Sequence, residues 1–205
     1  MKIAFISQKG SVLKTTLGRG LATEAVKNDI SVKVCDFDTE QGSFTHWHMR
    51  RLDTNLRQID SVESYKDLKK AIAASKGYDL TIFDTAGRAN KLNLDIAKCA
   101  DYVILPTATG YDDLEPNVRF AHKLAKSIDP KKMIFVFTLV RTQASLEAAQ
   151  EYVGDAGFEY LPESIRSKET YAKATIDAKS ITEVSQLGLR KEADKVIQSI
   201  IDRVW

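Results

Sequence analysis

Two lysines, one glycine and two threonines crowd into Gln8-Lys9-Gly10-Ser11-Val12-Leu13-Lys14-Thr15-Thr16, directly after an apolar run at Lys2–Ser7. A lysine at position 14 is suited to the β- and γ-phosphates of a nucleotide. The hydroxyl of Thr15 is suited to Mg²⁺, and backbone N–H groups at a helix start are suited to anions. The common spacing of phosphate loops, Gly, four residues, then Gly-Lys-Ser/Thr, is not met. Gln8 and Leu13 stand at its two glycine positions. Glycine before the lysine lets the backbone approach phosphate without a Cβ, and a leucine there crowds it. Two outcomes stay open on the residues alone: a loop that still takes a nucleotide, and a loop that no longer does.

Carboxylates recur at the ends of two later apolar runs. The first is Val34-Cys35-Asp36-Phe37-Asp38-Thr39-Glu40-Gln41; Asp36 and Asp38, two apart, share one side of an extended chain. Both could address a metal-bound phosphate or a water. The alternative is a pair of solvated carboxylates capping the helix that follows. The second is Leu80-Thr81-Ile82-Phe83-Asp84-Thr85-Ala86-Gly87. An apolar strand ending in Asp suits a Mg²⁺ ligand, and Gly87 suits a backbone donor to a γ-phosphate.

These groups need a scaffold that brings strand ends together. Lys2–Ser7, Ser31–Cys35, Leu80–Phe83, Tyr102–Leu105 and Met133–Val140 read as strands, several of them apolar on consecutive residues. Helical spacing follows at Leu17, Leu21, Ala22, Ala25 and Val26, over 64–75, and over 114–127 with Pro116 placed for a first turn. Alternating strands and helices predict a doubly wound α/β fold with a mainly parallel sheet, in one domain over 1–205. A last stripe, Leu189, Ala193, Val196, Ile197, Ile200, Ile201 and Val204, carries both charge signs on its other face. That mixture fits a helix docked on the sheet better than a membrane-surface helix. His46-Trp47-His48 fits packing rather than metal, since residues two apart on a helix do not share a face. Asp112-Asp113 fits the start of a helix, and Cys35 and Cys99 fit reduced thiols.

The order of these motifs resembles the ParA/MinD family, whose phosphate loop reads Lys-Gly-Gly-x-Gly-Lys-Thr-Thr with an extra early lysine. Lys9, Gly10, Lys14, Thr15 and Thr16 match; Ser11 and Leu13 replace glycines. Val103-Ile104-Leu105-Pro106-Thr107 is similar to the family's strand ending in Pro. Ile165-Arg166, Tyr171-Ala172-Lys173-Ala174 and Ser180-Ile181-Thr182-Glu183 are similar to the tail of short plasmid ParA proteins. The resemblance implies ATP or ADP with Mg²⁺ on residues 9–16, Gly87 and Pro106, with Thr15, Asp36 and Asp84 around the metal. It implies that Lys9 reaches the phosphates of a second copy in an ATP-dependent homodimer, that Asp38 orients water, and that hydrolysis is weak. A degenerate relative acting as a scaffold is the alternative implied by Leu13.

Thirty Lys and Arg against 28 Asp and Glu leave a net charge of +2, so no overall electrostatic pull toward nucleic acid exists. Non-specific DNA binding, which the resemblance implies, would rest on a local patch: Arg166, Lys168, Lys173, Arg190 and Lys191. A centromere-binding, ParB-type adaptor is the implied partner. Met1–Ile6 runs straight into the loop motif, which leaves no room for a signal peptide. No apolar stretch reaches membrane-spanning length, so the expected location is the cytoplasm, at the nucleoid.

Overall fold

The computed structural model describes residues 1–87 and 91–205. Seven parallel strands form one sheet: β1 (Lys2–Phe5), β2 (Val32–Asp36), β3 (Ser61–Ser64), β4 (Leu80–Asp84), β5 (Tyr102–Ala108), β6 (Met133–Val140) and β7 (Glu159–Arg166), in the order β3-β2-β4-β1-β5-β6-β7. The helices are α1 (Lys14–Lys27), α2 (Ser43–Leu52), α3 (Leu68–Ala74), α4 (Lys91–Cys99), α5 (Tyr111–Ala125), α6 (Gln143–Asp155), α7 (Glu169–Ile176) and α8 (Leu187–Val204). This is the doubly wound α/β architecture that the alternating pattern predicts.

Strand periodicity divides the interior into two layers. Ile3 and Phe5 of β1 join Leu17, Leu21, Trp47 and Ile197 on one face of the sheet. Ala4 and Ile6 join Phe83, Leu105, Val118 and Phe137 on the other. Strands with helices on both faces lose the usual polar alternation, which is why these runs are continuously apolar. A fully buried side chain the size of Phe5 contributes about 1.5–3 kcal/mol to that core. α8 docks its Ala193, Val196, Ile197 and Ile200 stripe against α1 and β7. Among the described residues, no helix is long and apolar enough to cross a membrane.

Two strands escape the sequence pattern. β3 has four residues, and β7 contains Pro162 with Glu at 159 and 163. Both lie at sheet edges, where a missing N–H and a charge are tolerated. The helix expected over 64–75 is shortened to Leu68–Ala74 because Ser64 belongs to β3 and Asp67 caps it, accepting from the backbone of Lys69 and Lys70. The helix expected over 114–127 begins at Tyr111, so Pro116 lies inside it rather than in its first turn. Trp47 and His48 are buried, as a packing role requires, and His46 is exposed.

Candidate nucleotide site

The chain turns from one side of the sheet to the other at β1, between β4 and β5, and a crevice opens at the strand ends there. The loop 7–13 occupies that point. It is folded on itself: Ser7 Oγ donates to the Lys9 carbonyl at 2.5 Å, and Lys14 Nζ donates to Ser7 Oγ at 3.0 Å and to the Lys9 carbonyl at 3.3 Å. Three side chains that the sequence pattern does not announce fix its flanks. Asn117, fully buried in α5, accepts from Gln8 N at 2.9 Å and donates to the Pro106 carbonyl at 3.1 Å. Thr138 Oγ1 donates to the Val12 carbonyl at 3.2 Å. Thr85 Oγ1 donates to the Phe5 carbonyl at 2.9 Å, tying the end of β4 to β1.

Ser11 and Leu13 both have φ of 61°, in the left-handed region. The backbone thus keeps the conformation that glycine favours although neither residue is glycine. The cost is about 1–2 kcal/mol for each. Leu13 is also the residue preceding α1, and its side chain cannot cap a helix, so the first-turn N–H groups keep no side-chain acceptor. The Leu13 side chain packs in part on the apolar layer that α1, α7 and α8 cover, and Leu13 also lines the cleft. That cleft has a volume of about 710 Å³, within the range of small-molecule sites. We expect the double change Ser11→Gly, Leu13→Gly to raise affinity for Mg-ATP about tenfold, which calorimetry reads. Both residues line the cleft, and removing about 1.4 kcal/mol of steric opposition to the ligand is worth that factor. An unchanged affinity would show that neither side chain hinders the ligand.

Around the cleft stand Lys14, Thr15 and Thr16 from α1, Asp38 and Gln41 from the turn after β2, and Gly87 after β4. Lys14 is 6% exposed, and burial lowers its ammonium pKa against the pull of Asp84 and Asp38. Thr15 Oγ1 donates to Asp84 Oδ2 at 2.7 Å. The other oxygen, Oδ1, is buried with no hydrogen-bond partner among the described residues. Burial, followed by the neighbouring Asp36 carboxylate, pushes the Asp84 pKa up to about 7. Asp36 and Asp84 are register partners on β2 and β4. A buried, partnerless carboxylate oxygen beside a threonine hydroxyl fits a hard divalent cation such as Mg²⁺, which takes one or two protein oxygens and fills its shell with water and phosphate. No cluster of three or more His, Cys, Asp or Glu that could bind a metal exists among the described residues.

The other expected site residues divide. Asp36 Oδ1 accepts from Asp38 N at 3.0 Å, and Oδ2 accepts from Thr45 N at 3.1 Å and Thr45 Oγ1 at 3.0 Å. Asp36 thus accepts three hydrogen bonds that hold the turn into α2. Val12 is buried away from the cleft, and the Pro106 carbonyl is taken by Asn117. Lys9 extends to Asp113 of α5 at 3.1 Å. Arg19, one helical turn beyond Thr15, was not anticipated. Its signal is a cation in a helix whose other residues in that stretch are apolar or small. Arg19 is 5% exposed and lines the cleft. Burial lowers its pKa to about 10, which leaves it charged at neutral pH.

The residues expected to meet DNA also divide. Lys168 lines the same cleft, and Lys173 pairs with Glu169 one turn away. Arg166 binds Glu192 through both its Nε and its backbone N. Lys191 lines a second groove of about 800 Å³, with Arg141, Lys195 and Arg166. Arg190 is exposed beside it on α8.

Residues 3–181 match the family described as the CobQ/CobB/MinD/ParA nucleotide binding domain. Among curated proteins none matches by sequence. Solved structures of similar fold include the MinD cell division protein of Aquifex aeolicus, 15% identical with a TM-score of 0.77 over 98% of this chain and 96% of that one. Septum site-determining protein MinD of Pyrococcus horikoshii OT3, complexed with Mg-ADP, is 15% identical with a TM-score of 0.76 over 98% and 95%. A protein of Borrelia burgdorferi B31, described as a plasmid partition protein and bound to AMPPNP, is 20% identical with a TM-score of 0.75 over 99% of both chains.

Proposed function

Because this chain belongs to the CobQ/CobB/MinD/ParA nucleotide-binding family, we propose that it is a ParA-like partition switch: it binds Mg-ATP, dimerises, holds DNA without sequence preference, and hydrolyses ATP slowly. The observation that carries this reading is the Thr15–Asp84 pair, with its partnerless buried oxygen, at the mouth of a loop folded as a phosphate cradle. Lys14 and the free N–H groups of the first turn of α1 hold the phosphates. Thr15 and Asp84 hold the cation, which neutralises charge on the phosphates when bound. Asp38, on the turn facing the loop, orients a water toward the terminal phosphate. Gly87 offers its N–H there.

Lys9 is the residue that would cross to a second copy, and its present partner is a partly exposed aspartate on α5. Exposed pairs of this kind contribute little, about 0–1 kcal/mol, so Lys9 is available for transfer to a phosphate. Lys9→Ala is expected to keep Mg-ATP binding within about threefold, a change worth less than 1 kcal/mol. It should lose both ATP-dependent dimerisation, read by light scattering after gel filtration, and turnover. Retention of both would remove the cross-dimer role. DNA would lie along the groove of Arg141, Lys191 and Lys195, with Arg190 beside it, and its affinity would fall steeply with salt. A ParB-type adaptor is the proposed stimulating partner. The chain would act as one domain in the cytoplasm, at the nucleoid.

The left-handed Ser11 and Leu13 favour a second reading, a nucleotide-independent scaffold. Calorimetry of the native chain with Mg-ATP separates the two: binding in the micromolar range supports the switch, and no heat at millimolar nucleotide supports the scaffold.

A further inference from the structure

The turn that carries Asp38 is short and closed. Gly42 N donates to the Asp38 carbonyl at 2.6 Å, and Gln41 N donates to Asp38 Oδ1 at 3.3 Å. Its two ends are held by different elements. At the start, Asp36 accepts from Asp38 N and, past the turn, from Thr45. At Ser43, the first residue of α2, the holding group comes from α1: Arg19 Nη2 donates to the Ser43 carbonyl. The guanidinium lies 5.3 Å from the Trp47 ring centroid and 5.8 Å from that of Phe44, both on α2. Arg19 thus binds α2 through a hydrogen bond and two aromatic faces. α1 is also the helix whose first turn carries Lys14 and Thr15.

We infer that Arg19 is a positioning residue, which sets the distance between the phosphate loop and the turn bearing Asp38. The argument rests on the reading of Asp38 as the water-orienting group. A planar guanidinium suits the task, because it donates in its plane while its face stacks on an aromatic ring. A lysine keeps the charge and one donor and loses the plane. Arg19 is buried too deeply to serve as a solvated surface charge, and among the described residues no carboxylate forms an ion pair with it. Its hydrogen bond is to a backbone carbonyl, so the segment it restrains is independent of side-chain identity at 43.

The test uses the full chain with Arg19→Ala and Arg19→Lys. Amide hydrogen exchange of the 38–43 segment, without nucleotide, reads the restraint directly. Arg19→Ala should speed exchange there about tenfold or more while β1, β4 and β5 keep their protection. Arg19→Lys should restore part of it. Binding of a fluorescent Mg-ATP analogue and single-turnover hydrolysis read the consequence: because Arg19 lines the cleft, Arg19→Ala loses some affinity, and its turnover falls about tenfold or more further than its binding does. Unchanged exchange at 38–43 would overturn the inference. So would loss of protection spread evenly over the sheet, or affinity and turnover falling by the same factor. If the native chain shows no nucleotide binding, the switch reading fails, while the exchange result still decides the restraint.

Discussion

Asp84→Asn should make the nucleotide-free protein more stable at pH 8 and at the same time abolish its Mg²⁺-dependent nucleotide binding. Asp84 is fully buried, with a pKa near 7 against an ordinary 3.8. That difference corresponds to about 4 kcal/mol between the two protonation states. The folded pKa lies above the unfolded one. The protonated group's contribution to stability is therefore fully present below about pH 4 and is lost as pH rises through 7. At pH 8 the native carboxylate is charged and destabilises the fold. An amide removes the charge but leaves a buried N–H₂ in need of acceptors, at a cost of about 1–3 kcal/mol. The net gain is on the order of 2 kcal/mol. It should vanish below pH 5, where the native carboxyl is neutral. Melting curves of both proteins from pH 5 to 8 isolate this group from the others that titrate. Parallel curves would mean that Asp84 is not held near neutrality.

Gly87→Ala is expected to lower affinity for Mg-ATP about a hundredfold. A Cβ at Gly87 would stand 2.7 Å from Gly10 Cα and 2.9 Å from Gly10 N. Both are backbone atoms of the phosphate loop, so no rotamer relieves the contact. Either the loop or the segment after β4 must move. Overpacking of this kind costs about 1–3 kcal/mol, and about 2.7 kcal/mol is a hundredfold in affinity. Gly188→Ala serves as the control, because a Cβ there meets nothing within 4 Å. It should bind nucleotide as the native chain does. Native affinity in Gly87→Ala would show that the two segments do not need their present approach.

The phosphate loop, the Asp-bearing strand ends and the layered sheet were legible in the sequence because each is local. Lys9-to-Thr16 is a contiguous string, and the apolar run ending in Asp84 is a pattern of five residues. What was not legible depends on topology. Asn117 meets Gln8 across 109 positions, and Thr138 meets Val12 across 126; no periodicity in either segment points to the other. β7 was hidden because an edge strand escapes the burial that writes an apolar run. Asp36 reads as a ligand in the sequence because it sits two residues from Asp38; the fold adds that its oxygens accept from Thr45 and from the Asp38 N–H. Leu13 reads as an obstruction in sequence. In the fold Leu13 packs partly on the apolar layer while still lining the cleft, and its φ of 61° adds a backbone cost that the sequence does not announce.

The place of β1 in the middle of the sheet governs the order in which the chain can be built. Its neighbours are β4 and β5, which begin at Leu80 and Tyr102. A nascent chain leaving the ribosome therefore presents Ile3-Ala4-Phe5-Ile6 as bare apolar backbone until β4 has been made, while β2 and β3 can already pair. Such a late-closing, long-range contact slows folding and lengthens exposure to aggregation. The loop after β1 is thus made before either of the strands that flank it and is among the last segments to be locked.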